Sequence, residues 1–248
     1  MNLSTAMNSD KPHPPLLRQN DLLSALPEAE RQQLLSQCKL VSMSLMQVLA
    51  EPGDKISQIY FPIDSYISLI SPVDDNANIE VGFIGSEGML GIWLTLGIEA
   101  APQRALVQGP GMAYCMDSQV FMRVYEQSSA LQRLLKRYLY VLMGQLAQTA
   151  ACTRFHVVQG RLARWLLMTR DRAQSDEFYI THELLAYILG VRRVGITRAA
   201  SALQALKLIS YRRGEIKILD HAGLEAASCS CYAADREAYE EIMRREDL

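Results

Sequence analysis

The chain has 248 residues, nearly half of them hydrophobic, and a formal charge of −2. That length accommodates two domains of roughly 100–150 residues, and no run of about 18 apolar residues suggests a membrane span. Five scattered cysteines, an odd number, and the lack of a secretory leader pattern point to reduced thiols in the cytoplasm rather than a disulfide framework.

In chain order, residues 1–18 are polar and proline-rich and read as a disordered tail. Residues 20–36 read as a short amphipathic helix or helix pair, interrupted at Pro27. From Leu40 to Met116 the pattern becomes β-like. Seven short runs are expected as strands: Leu40–Met43, Gln47–Ala50, Gln58–Phe61, Tyr66–Ser71, Asn78–Phe83, Arg104–Gln108 and Ala113–Met116. Turn residues such as Pro52-Gly53-Asp54 and Gly109-Pro110-Gly111 separate them. Short strands at this spacing predict a β-sandwich or jelly roll over residues 19–126.

Residues 127–154 then read as one long helix. Leu131, Leu135, Tyr138, Leu142, Gln145 and Thr149 recur at alternating 4 and 3 spacing, the seam of a parallel dimer, with an intramolecular core helix as the alternative. A hinge is expected at Gln159-Gly160-Arg161. Residues 155–230 follow as a second domain and 231–248 as an acidic tail.

Within the second domain, Thr181 is a suitable N-cap, Glu183 suits the first turn, and Gly190 suits a left-handed helix end. In the helix that follows, Ile196, Ala199, Ala200, Leu203 and Leu206 share one face. Val194, Thr197, Arg198 and Ser201 share the other, flanked by Arg192 and Arg193. Helix, glycine turn and such a second helix fit a helix-turn-helix offering its second helix to a DNA major groove. LISYRRGEIKILD adds a β-hairpin with Arg212 and Arg213 at its tip, as in a winged helix. From Arg154 to Lys217 there are twelve Lys and Arg against five Asp and Glu, a formal +7 inside an otherwise acidic chain. His182 is a candidate phosphate contact or a plain surface histidine. The fold class expected is therefore α+β: an N-terminal jelly roll, a long dimerisation helix and a C-terminal winged helix-turn-helix.

Three pieces carry a family resemblance across roughly residues 20–225. They are VQGRLARWLL at Val158–Leu167, the THELLAYILGVRR…ITR helix-turn-helix, and FIGSEG at Phe83–Gly88 followed by Gln103-Arg104-Ala105. Together they resemble the Crp/Fnr transcription regulators. The resemblance implies a cyclic-nucleotide-binding-like sensory domain and a homodimer that binds an inverted repeat in double-stranded DNA and contacts RNA polymerase. It implies base contacts from Arg193, Val194, Thr197 and Arg198. Valine stands at 194 where members commonly have glutamate, so the half-site should differ.

The implied ligand residues are Gly85, Ser86, Glu87, Gly88, Arg104 and Ala105. Backbone donors plus arginine suit a phosphodiester. The motif is incomplete, however: Ser86 replaces the ribose-binding glutamate, Glu87 is shifted by one, and Ala105 replaces a serine. The cofactor is left unknown, and a ligand other than cyclic AMP, or none, is expected. Cys38 stands alone near the N-terminus, so no iron–sulfur cluster is expected, and no histidine lies in the β-rich segment to serve as a haem ligand. Cys229 and Cys231 form a CSC pair that reads as a metal or redox signal or as two incidental thiols, and no metal ligand is assigned.

Competing functions fare less well. With no histidine between Lys39 and Phe155, a cupin-type metal enzyme lacks its ligands, and no catalytic motif is present. The alternative is a winged helix used for protein interaction or nucleotide binding without specific DNA readout.

Overall fold

The computed structural model describes residues 19–74 and 77–244. The tail expected at 1–18 lies outside the described residues. Two short helices open the chain, α1 (Asp21–Ser24) and α2 (Glu28–Leu35), with Pro27 at the start of α2, where its missing N–H costs nothing.

Seven strands follow: β1 (Lys39–Met43), β2 (Val48–Ala50), β3 (Gln58–Pro62), β4 (Tyr66–Asp74), β5 (Ala77–Ile84), β6 (Arg104–Gly109) and β7 (Gly111–Asp117). They form two antiparallel sheets ordered β1-β7-β3 and β2-β6-β4-β5. All seven expected strands are present, within a few residues at each end. The inner faces meet over Met43, Ile67, Leu69, Ile84, Ala105, Val107 and Ala113, which is the two-layer solution for strands with one apolar face. Between β5 and β6 a 3₁₀ helix, Ile92–Leu96, closes one end, entered and left through Gly91 and Gly97 at positive φ.

Helices α3 (Ser118–Gln127) and α4 (Ser129–Phe155) come next. Asp117 caps α3 through Gln119 and Val120 N–H, and Ser128 caps α4 through Leu131 N–H, which satisfies donors the helices cannot satisfy themselves. The predicted dimer seam is corrected here. Leu131, Leu135, Tyr138 and Leu142 are buried in the chain's own core with Phe61, Met89, Ile92 and Phe121. Gln145 and Thr149 are half-buried and line crevices with later helices. The periodicity reads as one apolar face, and the roll with its flanking short helices covers that face.

The break after α4 falls at His156 and Val157, not at Gly160, which lies in the first turn of α5 (Val158–Ala173). A Cβ at Gly160 would meet the Cys229 N–H at 3.4 Å, so the glycine serves close packing rather than a hinge. Strand β8 (Glu177–Tyr179), helices α6 (His182–Leu189) and α7 (Arg193–Ala205), and strands β9 (Ile209–Arg212) and β10 (Glu215–Ile218) complete a winged unit. Its sheet is ordered β8-β10-β9, and its core joins Leu162, Leu166, Leu185, Ile188, Ile196, Leu203 and Ile216.

Helices α8 (His221–Ala227) and α9 (Cys231–Met243) end the described chain. This corrects the expectation of a tail after 230. Cys231, Tyr232 and Asp235 turn inward onto α4 and α5, while Glu237 and Glu241 face out. An acidic composition hid one buried face. Among the described residues, no helix is long and apolar enough to cross a membrane.

Candidate nucleic-acid interface

Thr181 Oγ1 accepts from Leu184 N–H at 3.1 Å, so α6 starts with a satisfied cap, and Gly190 ends it at φ 60°. That residue needs the left-handed region, which costs glycine nothing. The turn to Arg192 then launches α7. Ile196, Ala199, Ala200 and Leu203 face the core, leaving Arg192, Arg193, Val194, Thr197, Arg198 and Ser201 exposed on one side. Val194 is 54% exposed, a β-branched side chain on a surface with no neighbour of its own to cover it.

The hairpin β9–β10 turns through two residues, Arg213 at φ 54° and Gly214 at φ 91°. Two consecutive positive φ values define a type I′ turn, whose twist matches the strands it joins. The Tyr179 ring lies where a Gly214 side chain would be, which fixes that position as glycine. Arg212 and Arg213 are both exposed at the tip.

His182 packs between α7 and the wing. Its Nδ1 lies 3.1 Å from Thr197 Oγ1, and its ring meets Tyr211 edge-on at 4.5 Å. Burial, and then the Arg193 charge, push its pKa below the ordinary histidine value. The imidazole lies between Thr197 of α7 and Tyr211 of the wing, and so positions Thr197. Thr197 and Tyr211 are its partners, so half-buried His182 braces α7 against the wing.

The +7 segment is also reduced on folding. Arg161, Arg164 and Arg172 are buried. Arg161 donates to the Leu189 carbonyl at the end of α6. Arg164 pairs with Asp235 at 2.6 Å, and Arg172 with Glu87 at 2.8 Å. What remains outward is the set on α7 and the wing, together with Arg154, Lys207 and Lys217, while Arg170 is half-buried and paired with Asp176.

The residues expected to hold a ligand are not brought together. Gly85, Ser86, Glu87 and Gly88 form a tight turn after β5; its Gly85 and Gly88 N–H groups are bonded within the turn, and helices pack against the rest. Ser86 accepts from Asp21 N–H at 2.7 Å through its carbonyl, and its hydroxyl donates to the Asp21 carboxylate. Arg172 packs where a Gly85 side chain would be, and Tyr138 where a Gly88 side chain would be. Tyr239 donates to the Glu87 carbonyl at 3.1 Å.

Arg104 lies beyond β4 from this turn. It pairs with Ile70 on one edge of β4 while Ile84 pairs with Ile67 on the other, two strand spacings across and three residues along, or roughly 14 Å away. Its side chain is on the outer face, ion-paired with Glu51 at 3.4 Å. Gln103 and Ala105 face inward instead, as the two-residue period of a strand demands. The sequence reading missed Gln103; the signal was the strand alternation through Ala105 and Val107, both buried. The inner cavity they line with Tyr60, Leu69 and Trp93 has a volume of about 60 Å³, against the roughly 300–1,000 Å³ of small-molecule sites.

Comparison with known proteins agrees with this geometry. A family model described as a Crp-like helix-turn-helix domain matches residues 160–227. No curated protein sequence matches the chain. Among solved structures, a transcriptional regulator of the Crp/Fnr family from Eubacterium rectale superposes with a TM-score of 0.64 at 16% identity, covering 83% of this chain and 96% of that one. FixK2 from Bradyrhizobium japonicum gives 0.66 at 11% identity, covering 77% and 98%. The c-di-GMP responsive global regulator CLP of Xanthomonas campestris gives 0.61 at 17% identity, covering 77% and 99%. From α5 to α8 the chain thus carries a Crp-like helix-turn-helix domain, within the fold of the Crp/Fnr family of transcriptional regulators.

Proposed function

We propose that this protein is a sequence-specific, dimeric DNA-binding regulator of transcription that works in the bacterial cytoplasm, with residues 19–126 as sensory domain, 127–154 as dimer helix and the remainder as DNA reader. The observation that carries this reading is the exposed face of α7, Arg192 to Ser201, flanked by two wing arginines. Arg193 and Arg198 suit bidentate contacts with guanine, Thr197 bonds a base or phosphate, and Val194 meets a thymine methyl. Arg212 and Arg213 contact sugar-phosphate backbone.

The dimer surface in this reading is the face of α4 opposite the one predicted. Tyr140 is 62% exposed and Met143 50%, and Gly144, Ala147, Ala150 and Ala151 are exposed beside them. Arg133, Lys136, Tyr140, Met143, Ala147, Ala150 and Arg154 follow alternating 3 and 4 spacing, a seam period. Small residues in that stripe permit close approach of a second α4, and a two-fold there sets two reading helices against an inverted repeat. The turn at Gly85–Gly88 is occupied by the chain's own side chains, so cyclic AMP is not the effector this reading assigns. Contact with RNA polymerase completes it.

The test is selection of bound sequences from random double-stranded DNA, followed by titration at several salt concentrations. An enriched inverted repeat, and a log K against log[salt] slope near −0.9 per phosphate contacted, are expected. No enrichment together with a flat slope would assign the winged helix to protein contacts instead.

A further inference from the structure

The fold gathers Cys152, His156, Cys229 and Cys231 into one place. Cys152 lies in the last turn of α4 and His156 caps that helix, four residues on and on the same side. Cys229 lies in the turn after α8, and Cys231 begins α9. Their four ligand atoms all lie within 4.8 Å of one another, and this is the one such group of cysteine, histidine and carboxylate side chains among the described residues. The three thiols are buried.

We propose that these four side chains bind a single zinc ion, as a Cys₃His site that ties the end of α4 to the α8–α9 turn. Zinc takes thiolate at ~2.3 Å and imidazole at ~2.0–2.1 Å in a tetrahedron. Those bond lengths place sulfur atoms about 3.8 Å apart and sulfur and nitrogen about 3.6 Å apart. Cys152 Sγ lies 3.5 Å from Cys229 Sγ, and Cys231 Sγ lies 3.4 Å from His156 Nδ1. Two edges of the tetrahedron therefore stand near their required lengths, and the others need small contractions. The same 3.5 Å is far beyond a sulfur–sulfur bond of ~2.05 Å. A multi-iron cluster would spread its thiolates more widely than one ion does.

The surroundings suit the charge. Three thiolates, a neutral imidazole and Zn²⁺ sum to −1, and the buried guanidiniums of Arg161 and Arg164 favour negative charge on Cys152 and Cys229. Gln148 Nε2 donates to Cys231 Sγ at 2.9 Å, the kind of outer contact that orients a metal ligand. With Nδ1 on the metal, the His156 proton sits on Nε2. A zinc ion here would add metal bonds between the end of α4 and the α8–α9 turn, reinforcing the hydrogen bonds that Gln148 makes to Cys231 and Arg164 makes to Thr149.

The test uses the full-length protein, purified with reductant and loaded with zinc chloride, then desalted. Elemental analysis should give about one zinc per chain, released stoichiometrically when a mercurial blocks the thiols. Cobalt(II) in place of zinc should show the intense visible absorption of a tetrahedral thiolate site. His156→Ala, Cys229→Ser and Cys231→Ser should each lose the stoichiometric ion, with folding checked by circular dichroism. Wild-type protein that retains no zinc or cobalt with its thiols reduced overturns the proposal. So does a metal content unchanged in folded Cys229→Ser and Cys231→Ser, or iron bound preferentially over zinc.

Discussion

Trp165 donates its indole N–H to Glu80 at 3.0 Å, which joins the first helix of the winged unit to strand β5 of the roll. Ser68 donates to the other carboxylate oxygen. Burial pushes the Glu80 pKa up to about 7, against the lowering effects of these hydrogen bonds and of Arg172 and Arg164. A group with a raised folded pKa binds its proton more tightly folded than unfolded. Its contribution is therefore complete below the unfolded value of 4.5 and is lost as pH rises to about 7. Stability should fall across this window by an amount on the order of 3 kcal/mol. Glu80→Gln should flatten that part of the profile and be the more stable protein at pH 8, measured by urea unfolding between pH 5 and 8. Parallel profiles for the two proteins would place the titration elsewhere.

Reading and anchoring should separate by mutation. Arg193→Ala or Arg198→Ala is expected to relax preference at single base pairs, at ~1–3 kcal/mol each. Arg212→Ala or Arg213→Ala should weaken all duplexes alike and reduce the salt slope by about one phosphate each. Binding assays on a panel of single-base variants check this; four mutants with the same profile would erase the division between helix and wing.

The strut beneath the reading helix makes its own prediction. His182→Ala removes the partner 3.1 Å from Thr197, and burial and the Arg193 charge, which lower the imidazole pKa, disfavour a charged contact there. Specificity at the base pair read by Thr197 should decline while the salt slope stays that of the wild type. A slope smaller by one contact would mean that His182 is a charged phosphate ligand.

For assembly, the two faces of α4 should behave oppositely. Tyr140→Glu with Met143→Glu should convert the dimer to a folded monomer, seen by light scattering. Leu135→Ala, at a fully buried site, should instead destabilise each chain by about 2–5 kcal/mol without altering its mass in solution. A monomeric Leu135→Ala that keeps wild-type stability would restore the seam first expected from the sequence.

Much of this architecture was legible because its signals are local. Strand alternation, the Gly190 cap, the amphipathic split of α7 and the hairpin through Gly214 each arise within a dozen residues, and each formed where expected. What misled were properties shared between distant segments. Which face of α4 meets a partner depends on whether the roll covers it, and heptad spacing is identical in either case. Arg161, Arg164 and Arg172 count as positive charge in any sum, yet fold inward onto Leu189, Asp235 and Glu87. The FIGSEG turn looked like an open cradle because the occupants of its space, Tyr138 and Arg172, lie some 50 and 85 residues away in the chain. Cys152 and Cys229 are likewise separated by 77 positions, beyond any spacing rule for metal ligands.

The burial of Leu131, Leu135, Tyr138 and Leu142 inside a single chain has a bearing on dosage. In the proposed dimer each copy would complete its hydrophobic core before meeting another, so folding and pairing would be separate equilibria. Dilution below the pairing constant should then leave folded monomer, unlike an obligate dimer, whose fold is lost with its partner. Where monomers predominate, occupancy of a two-fold operator should climb with the square of the amount of protein, so that a modest change in expression throws a promoter from open to shut or back.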